Sequence, residues 1–452
     1  MIAWVLALAP PLLAAGALTT LARARDRFAV APLAFAVAVA ASSTVWGALL
    51  FGGVRSRPLI LGCDAAFWLL LAFVIYRWRV PGETVAARRL APTNTPRAAT
   101  FAAVALLLVT ASIAVASFAA SSAVLPHGEW DAWAQWNLRA RFFFRGFASG
   151  AWRQAFAPVL AWSHADYPPL VPLAVSRMWL YIGTDTTAVP IALSGVFASV
   201  AVGAAGLATA RVRDTARGCV AAAAILACPS FVHYASAQCA DVPLALLMLA
   251  AFIFWSLADG PTARTWLGLA GLSAGLAAWT KNEGIPFLAV FVALVAIERL
   301  RHAGLEGSRD VAAVLAGAAP LVLLVVVFKA TLAPPSYFTA EQSLAEALTR
   351  LTDAGRLQLV VTAIAREAWL TGAAFVGVIP FLALYLIARG ASAEAPVAAK
   401  AAAPAMIAML VIYAVAYLIT PKDLPWQLRT SLDRVFVQLV PTLAWSVVTI
   451  AR

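Results

Sequence analysis

The chain has 452 residues, of which 63 % are hydrophobic and 12 % charged, with a formal net charge of +12. Soluble globular proteins carry about a quarter charged residues, so that class is excluded. Apolar runs of about 18 or more residues recur along the whole length, the signature of a multi-pass membrane protein. The positive charge sits in short loops between these runs, not on one soluble face, which speaks against a nucleic-acid partner.

In chain order, about thirteen spans are predicted: 2–20, 29–51, 59–76, 99–121, 188–210, 218–234, 240–258, 265–279, 285–299, 311–332, 362–387, 403–420 and 433–450. The first, MIAWVLALAPPLLAAGALTT, lacks a basic leader and a small-residue cleavage site, and is read as a retained span. Basic stretches at 23–27, between 77 and 97, at 211–217 and at 298–309, and the pair Arg389 and Lys400, all fall on one side of a thirteen-span chain. The positive-inside rule makes that side cytoplasmic, with the N-terminus outside and the C-terminus inside. Cys63, Cys219, Cys228 and Cys239 have no metal or redox spacing and read as packing residues.

Segments 122–187, 334–361 and 421–432 then lie outside. Within the first, PPLVPLAVSRMWLYIG (168–183) is apolar, short, and carries Arg177. A crossing there would invert every later basic loop, so it is expected to lie as a helix in the membrane interface. The stretch HGEWDAWAQWNLRARFFFRG (127–146) spaces Trp130, Trp133 and Trp136 three apart, on one helical face suited to headgroup depth. It adds Glu129, Asp131, Arg139, Arg141 and Arg145. HADYPPL (164–170) supplies His164 and Asp166, and WTKNEG (279–284) supplies Lys281 and Glu283. PKDLPWQLRTSLDR (421–434) supplies Lys422, Asp423, Trp426, Arg429, Asp433 and Arg434. Ionisable groups at the hydrocarbon edge are expensive and point to a site. Converging cations suit a phosphate at headgroup depth, and carboxylates beside them suit a general base or a metal.

At these residues the chain resembles the GT-C superfamily of polyprenyl-phosphate-sugar-dependent glycosyltransferases. It looks like the bacterial branch related to protein O-mannosyltransferases and to the aminoarabinose transferase of lipid A. The resemblance rests on Asp131 in GEWDAW, on DYPPL, on Asp241 to Leu244 in CADVPLALL and on GLAAWTKNEG, and covers roughly 100–300. It implies an all-α polytopic fold with a transferase module at 99–452 behind extra helices at 1–98, and a large catalytic outer loop with interfacial helices. It also implies a polyprenyl-phosphate sugar as donor and a lipid, glycan or protein hydroxyl as acceptor, at the outer face of the bacterial inner membrane. Asp131 matches the family's base, Asp166 a second loop acid that in some members holds a metal or positions substrate, and Lys281 the lysine near the phosphate. Two departures stand out. Tyr167 replaces a family lysine that helps bind the lipid phosphate, so Arg139, Arg429 or Arg434 would have to supply that charge. Three spans precede the one leading into the catalytic loop, where the family has one in total.

Each of these residues also has a plainer reading. Asp131 suits a helix cap, Asp166 a turn before Pro-Pro, and Asp241 a cap or a partner to a span residue. Lys281 suits snorkelling to the interface, and Trp426 suits either a sugar platform or an interface anchor. His127 and His164 could join Glu129 and Asp166 around a divalent metal, though the spacing is not diagnostic and no metal ligand is assigned. The rival functional classes are a transporter or flippase of lipid-linked sugars and a non-catalytic envelope-assembly subunit. Transport would require broken helices and polar residues near the bilayer midplane.

Overall fold

Backbone groups inside a bilayer must be satisfied internally, so apolar runs of this length are committed to helix. The computed structural model describes residues 2–22, 26–77, 95–373 and 376–452; Arg23, Arg25 and the basic residues of 78–94, which helped to set the expected orientation, lie outside them. Among the described residues there are α-helices, short 3-10 and π turns and an isolated bridge from Ala391 to Ala451, without a strand. The chain is an all-α multi-pass membrane protein. Among the described residues seven helices are long and apolar enough to cross a membrane, or eight when one bent pair counts as a single span.

Helices α1 (Ile2–Leu21), α2 (Arg27–Phe51) and α3 (Arg57–Arg77) form an N-terminal group, and α4 (Arg97–Val124) leads into the long loop. Helix α4 leaves Leu108, Val109, Ile113 and Val115 exposed, as a helix against lipid does. In the loop a π turn, Ala132–Trp136, runs into α5 (Asn137–Gly146), and two 3-10 turns lead to α6 (Leu170–Ile182).

Helix α6, expected to lie in the membrane interface, is buried along most of its length and packs against α1, α2 and α5. Arg177 explains why. Its Nε donates to both Asp64 oxygens at 3.0 and 3.1 Å, Nη2 donates to Oδ2 at 2.5 Å, and Nη1 donates to the Ala7 carbonyl at 3.0 Å. The Tyr181 hydroxyl donates to the same carboxylate at 2.7 Å. A buried charge paired this fully has no need of headgroup water. The tryptophan face is split as well. Trp130 and Trp133 are exposed with their rings 4.5 Å apart, whereas Trp136 turns inward onto Tyr167.

Helices α7 (Ala188–Val212), α8 (Thr215–Leu226) and α9 (Pro229–Ser236) follow. The expected span 218–234 is bent by 64° between α8 and α9. Pro229 has no N–H to give and holds Cys228 extended, which ends α8. Helix α10 (Asp241–Ser256) is buried from Asp241 to Trp255 and packs against α7, α11 (Ala263–Thr280), α17 (Val397–Ile419) and α18 (Leu424–Ile450). A helix that is hydrophobic all round belongs at such a centre.

Helix α12 (Gly284–Thr331) doubles back at Gly304, whose φ is 54°. Arg299 Nη1 lies 3.4 Å from Asp310, and Lys329 returns to within 2.7 Å of Asn282. The expected segments 285–299 and 311–332 are thus two arms of one hairpin. A Cβ on Gly271 would lie 1.9 Å from the Val314 oxygen, and one on Gly317 would lie 1.9 Å from the Gly268 oxygen. Small residues let these backbones touch, which in lipid does the work that burial does in water.

Beyond α12 come α13 (Tyr337–Ala340), α14 (Leu344–Leu351), α15 (Ala354–Leu370) and α16 (Val378–Arg389). The expected single span 362–387 is two helices, because Thr371 (φ 46°) and Gly372 (φ 76°) turn the chain out of α15. Helix α18 also starts earlier than the expected 433. Asp423 caps it by accepting the Trp426 N–H at 2.8 Å, and Pro425 stands in its first turn.

Candidate functional site

Charged side chains from the loop, the start of α10, the turn between α11 and α12, and the third turn of α18 converge at one end of the bundle. The loop reaches them through Gly128, whose φ is +75°. A Cβ there would meet Ala132 Cβ at 2.5 Å and the Ala237 oxygen at 2.6 Å, so only glycine lets the chain lie against the link between α9 and α10. The Glu129 N–H donates to the Ala237 carbonyl at 3.3 Å. Asn137 donates to Gln238 at 2.9 Å, and Gln238 donates to the Pro126 carbonyl at 3.1 Å. These bonds fix Asp131 at the start of the π turn. Its side chain caps nothing. It pairs with Arg434 of α18 instead.

Arg434 spans two carboxylates. Its Nη1 holds Asp131, while Nη2 and Nε donate to Asp241 Oδ2 at 2.9 and 3.2 Å. Asp241 is sealed at 0 % exposure and is saturated with donors: Lys281 Nζ at 2.8 Å and Gln438 Nε2 at 2.6 Å complete the set. Gln438 in turn accepts the Tyr413 hydroxyl at 2.6 Å. Lys281 also contacts Glu283 at 2.9 Å. Three carboxylates (Asp131, Asp241, Glu283) therefore share two cations (Arg434, Lys281). The guanidinium lies over the Tyr234 ring at 5.7 Å, and the Tyr234 hydroxyl donates to Asp433 at 2.8 Å.

A second group adjoins this one. Asp166 accepts from Asn282 Nδ2 at 2.8 Å, and Lys329, at the end of α12, donates to Asn282 Oδ1 at 2.7 Å and to the Asp166 carbonyl. Its ammonium lies 3.8 Å from the Asp166 carboxylate. Tyr167 lies between the Trp136 ring at 5.6 Å and Lys281, whose ammonium is 5.6 Å from the phenol ring. Burial, followed by the Glu283 charge, holds the Tyr167 hydroxyl well above its ordinary pKa, so it is a neutral group. Burial also pushes the His164 imidazole below its ordinary pKa; its ring packs on Tyr337 at 5.7 Å. The Tyr337 hydroxyl accepts from Gln427 at 3.2 Å, and Lys422 pairs with Glu341 at 2.6 Å, which joins the α13 region to the start of α18.

Of the residues singled out in the sequence, Asp131, Lys281, Glu283 and Arg434 meet in the first group, and Asp166 and Tyr167 stand beside it. The others lie elsewhere. Glu129 faces His233 at 3.4 Å. Arg139 is spent on the loop's own frame: it donates to Gln135 O at 3.3 Å, Ser163 Oγ at 3.1 Å and the Ser163 carbonyl, and burial pushes its guanidinium down to about 10. Arg141 and Arg145 both pair with Asp185. Trp426 and Arg429 are exposed on the first turns of α18. His127 lies 3.3 Å from Arg141 rather than beside His164, and no group of three or more metal-ligating side chains forms among the described residues.

Sequence reasoning passed over Lys329, Gln438 and Tyr413. Lys329 and Gln438 carried a usable signal, since each is a polar residue set in an apolar run. Asp241 had been weighed as a cap or a span partner; it is the anchor of the first group.

This arrangement holds a carboxylate and a phosphate-competent guanidinium against each other in a partly desolvated place, where charge interactions strengthen. No protein-family model matches the chain, and no curated protein or solved structure is detectably similar to it.

Proposed function

We propose that the chain is an integral membrane glycosyltransferase. It moves a sugar from a polyprenyl-phosphate donor to an acceptor hydroxyl on a lipid, glycan or protein. In this reading about thirteen spans cross the bacterial inner membrane, with the N-terminus outside and the site facing outward. The single observation that carries the reading is the contact between Asp131 and Arg434. A group able to take a proton and a group able to take a phosphate lie side by side at the bundle end that the basic loops assign to the outside.

The chemistry is one displacement. The acceptor oxygen attacks the anomeric carbon, and its proton passes to Asp131. The bond from that carbon to the phosphate oxygen breaks on the opposite face, which inverts the centre. Polyprenyl phosphate leaves with both bonding electrons, stabilised by Arg434 and Lys281. Phosphate is already a good leaving group, so no acid need protonate it. Asp166 and Lys329 border the place where the sugar would lie.

The test is transfer by the purified protein from a panel of radiolabelled polyprenyl-phosphate sugars, wild type against Asp131→Asn. Transfer, or slow donor hydrolysis, that disappears in a well-folded variant supports the reading; unchanged turnover in the variant sinks it.

One observation favours a second reading. The adjacent breaks between α8 and α9 and between α15 and α16 are of the kind found in transporters. The side chains of Cys228, Ser230 and Thr371 at the breaks are uncharged, the Glu367 carboxylate there accepts from the Gly372 N–H, and the ion pairs described above lie at the bundle end instead. Movement of a labelled lipid-linked sugar across reconstituted vesicles without transfer would favour transport.

A further inference from the structure

We infer that the donor phosphate itself opens the Asp131–Arg434 pair, so that the base is released only when a donor is in place. The inference rests on the glycosyltransferase reading and adds an order to it. A carboxylate oxygen already held by a guanidinium N–H is not open to the proton of an acceptor hydroxyl. As the structure stands, base and phosphate-binding cation neutralise each other, and neither is free for its task.

Counting charges decides which contact gives way. Asp131, Asp241 and Glu283 already share Arg434 and Lys281, so a phosphate that binds Arg434 competes with the carboxylates already on it. Asp241 cannot leave: it has no exposed surface and accepts from Lys281, Arg434 and Gln438 at once. Asp131 holds Arg434 through one nitrogen, and the side chains of both are 16 % exposed. A phosphate has more charge and more acceptor oxygens than a carboxylate, and it can take Nη1 from Asp131. Asp241 keeps the Nε edge, so the guanidinium stays in position while its partner changes. Asp241 is therefore a positioning residue and Arg434 the exchange point.

The consequence is obligatory order. Donor binds first, Asp131 swings free, and only then is an acceptor hydroxyl activated. The proton passes from that hydroxyl to Asp131 and on to water after the lipid phosphate departs, which returns Arg434 to Asp131.

The experiment uses the full chain in detergent. Asp131 is labelled with a water-soluble carbodiimide and an amine, and the peptide is quantified by mass spectrometry. The probe is polyprenyl phosphate without sugar; the control is the same polyprenol without phosphate. Binding is followed independently by native mass spectrometry. The expected result is a several-fold rise in Asp131 labelling with the phosphate and none with the alcohol. Arg434→Lys should label readily without lipid, and Asp241→Asn should lose the response to phosphate and show a raised donor KM with the acceptor KM unchanged. The wild-type comparison decides even if a variant fails to fold. Bound lipid phosphate with unchanged or reduced Asp131 labelling overturns the exchange and leaves the transferase reading standing. No binding of lipid phosphate overturns both.

Discussion

Lys281 Nζ lies 2.8 Å from Asp241 Oδ1, with the lysine side chain 5 % and the aspartate 0 % exposed. The two residues are 40 apart in sequence, at opposite ends of the segment that holds α10 and α11. Removing one partner of such a pair strands the other charge away from water. Asp241→Ala should destabilise the protein by about 3–5 kcal/mol, because it removes the buried carboxylate that Lys281 and Arg434 share and leaves Lys281 only Glu283 and Arg434 only Asp131. Thermal unfolding in detergent checks this, and an unshifted melting temperature would refute it.

A comparable pair fastens the N-terminal helices. Asp64 of α3 and Arg177 of α6 are both buried, and Arg177 also reaches the Ala7 carbonyl of α1. Asp64→Ala should cost about 3–5 kcal/mol and release α1–α3 to limited proteolysis. The double variant Asp64→Leu, Arg177→Met should recover much of that loss, since well-packed apolar groups often replace a buried ion pair at no cost. A double variant as unstable as the single one would count against the argument.

His164 gives a pH dependence of known sign. Burial holds its pKa below the ordinary 6.5 against the pull of Asp166 and Asp131, while Arg139 and Lys422 add to the lowering. The folded chain therefore binds fewer protons here than the unfolded one. The contribution is present in full above pH 6.5 and is lost as the pH falls below that value. His164→Asn removes the titration and tolerates the left-handed backbone, whose φ is 50°. Between about pH 8 and about pH 5 the wild type should lose more melting temperature than the variant. Parallel curves would refute the assignment.

Gly128→Ala tests the loop that carries Asp131. The substitution forces a left-handed alanine, at about 1–2 kcal/mol, and drives its methyl into Ala132 and the Ala237 carbonyl. Sugar transfer should be lost together with part of the stability. Arg429→Ala is the contrast: the exposed Arg429 lies outside the ion-pair cluster, and its loss should change stability by less than about 0.5 kcal/mol and leave transfer intact.

Hydropathy made the helical, membrane-spanning character of the chain legible, because an apolar run in lipid has few alternatives to helix. Single local residues decided the departures. Pro229 bends one expected span and Thr371 and Gly372 break another, whereas the turn at Gly304 falls in the loop expected between 285–299 and 311–332. Charge at the hydrocarbon edge drew attention to Asp131, Lys281 and Arg434, which the structure brings into one ion-pair cluster, since burying such groups demands partners. Which partner each one takes was not legible. Arg177 looked like a reason to stay in the interface and is instead sealed against Asp64, and Arg139 looked available to a ligand and is instead consumed by Gln135 and Ser163. Pairing depends on contacts between segments far apart in sequence, and periodicity carries no record of them.

The two helix breaks also bear on how the chain is made. Cys228 and Thr371 meet at 3.6 Å across 143 residues of sequence, and a Cβ on Gly372 would strike Ser230 Oγ at 2.0 Å. Each break leaves backbone groups without helical partners, and in lipid each unsatisfied group costs several kcal/mol. When α8 and α9 leave the ribosome, the segment that packs against their bend has not yet been synthesised. The bent pair must therefore stay shielded by the insertion machinery until α15 and α16 arrive. A chain truncated ahead of residue 371 should remain bound to that machinery and be degraded, even though every helix up to that point is complete.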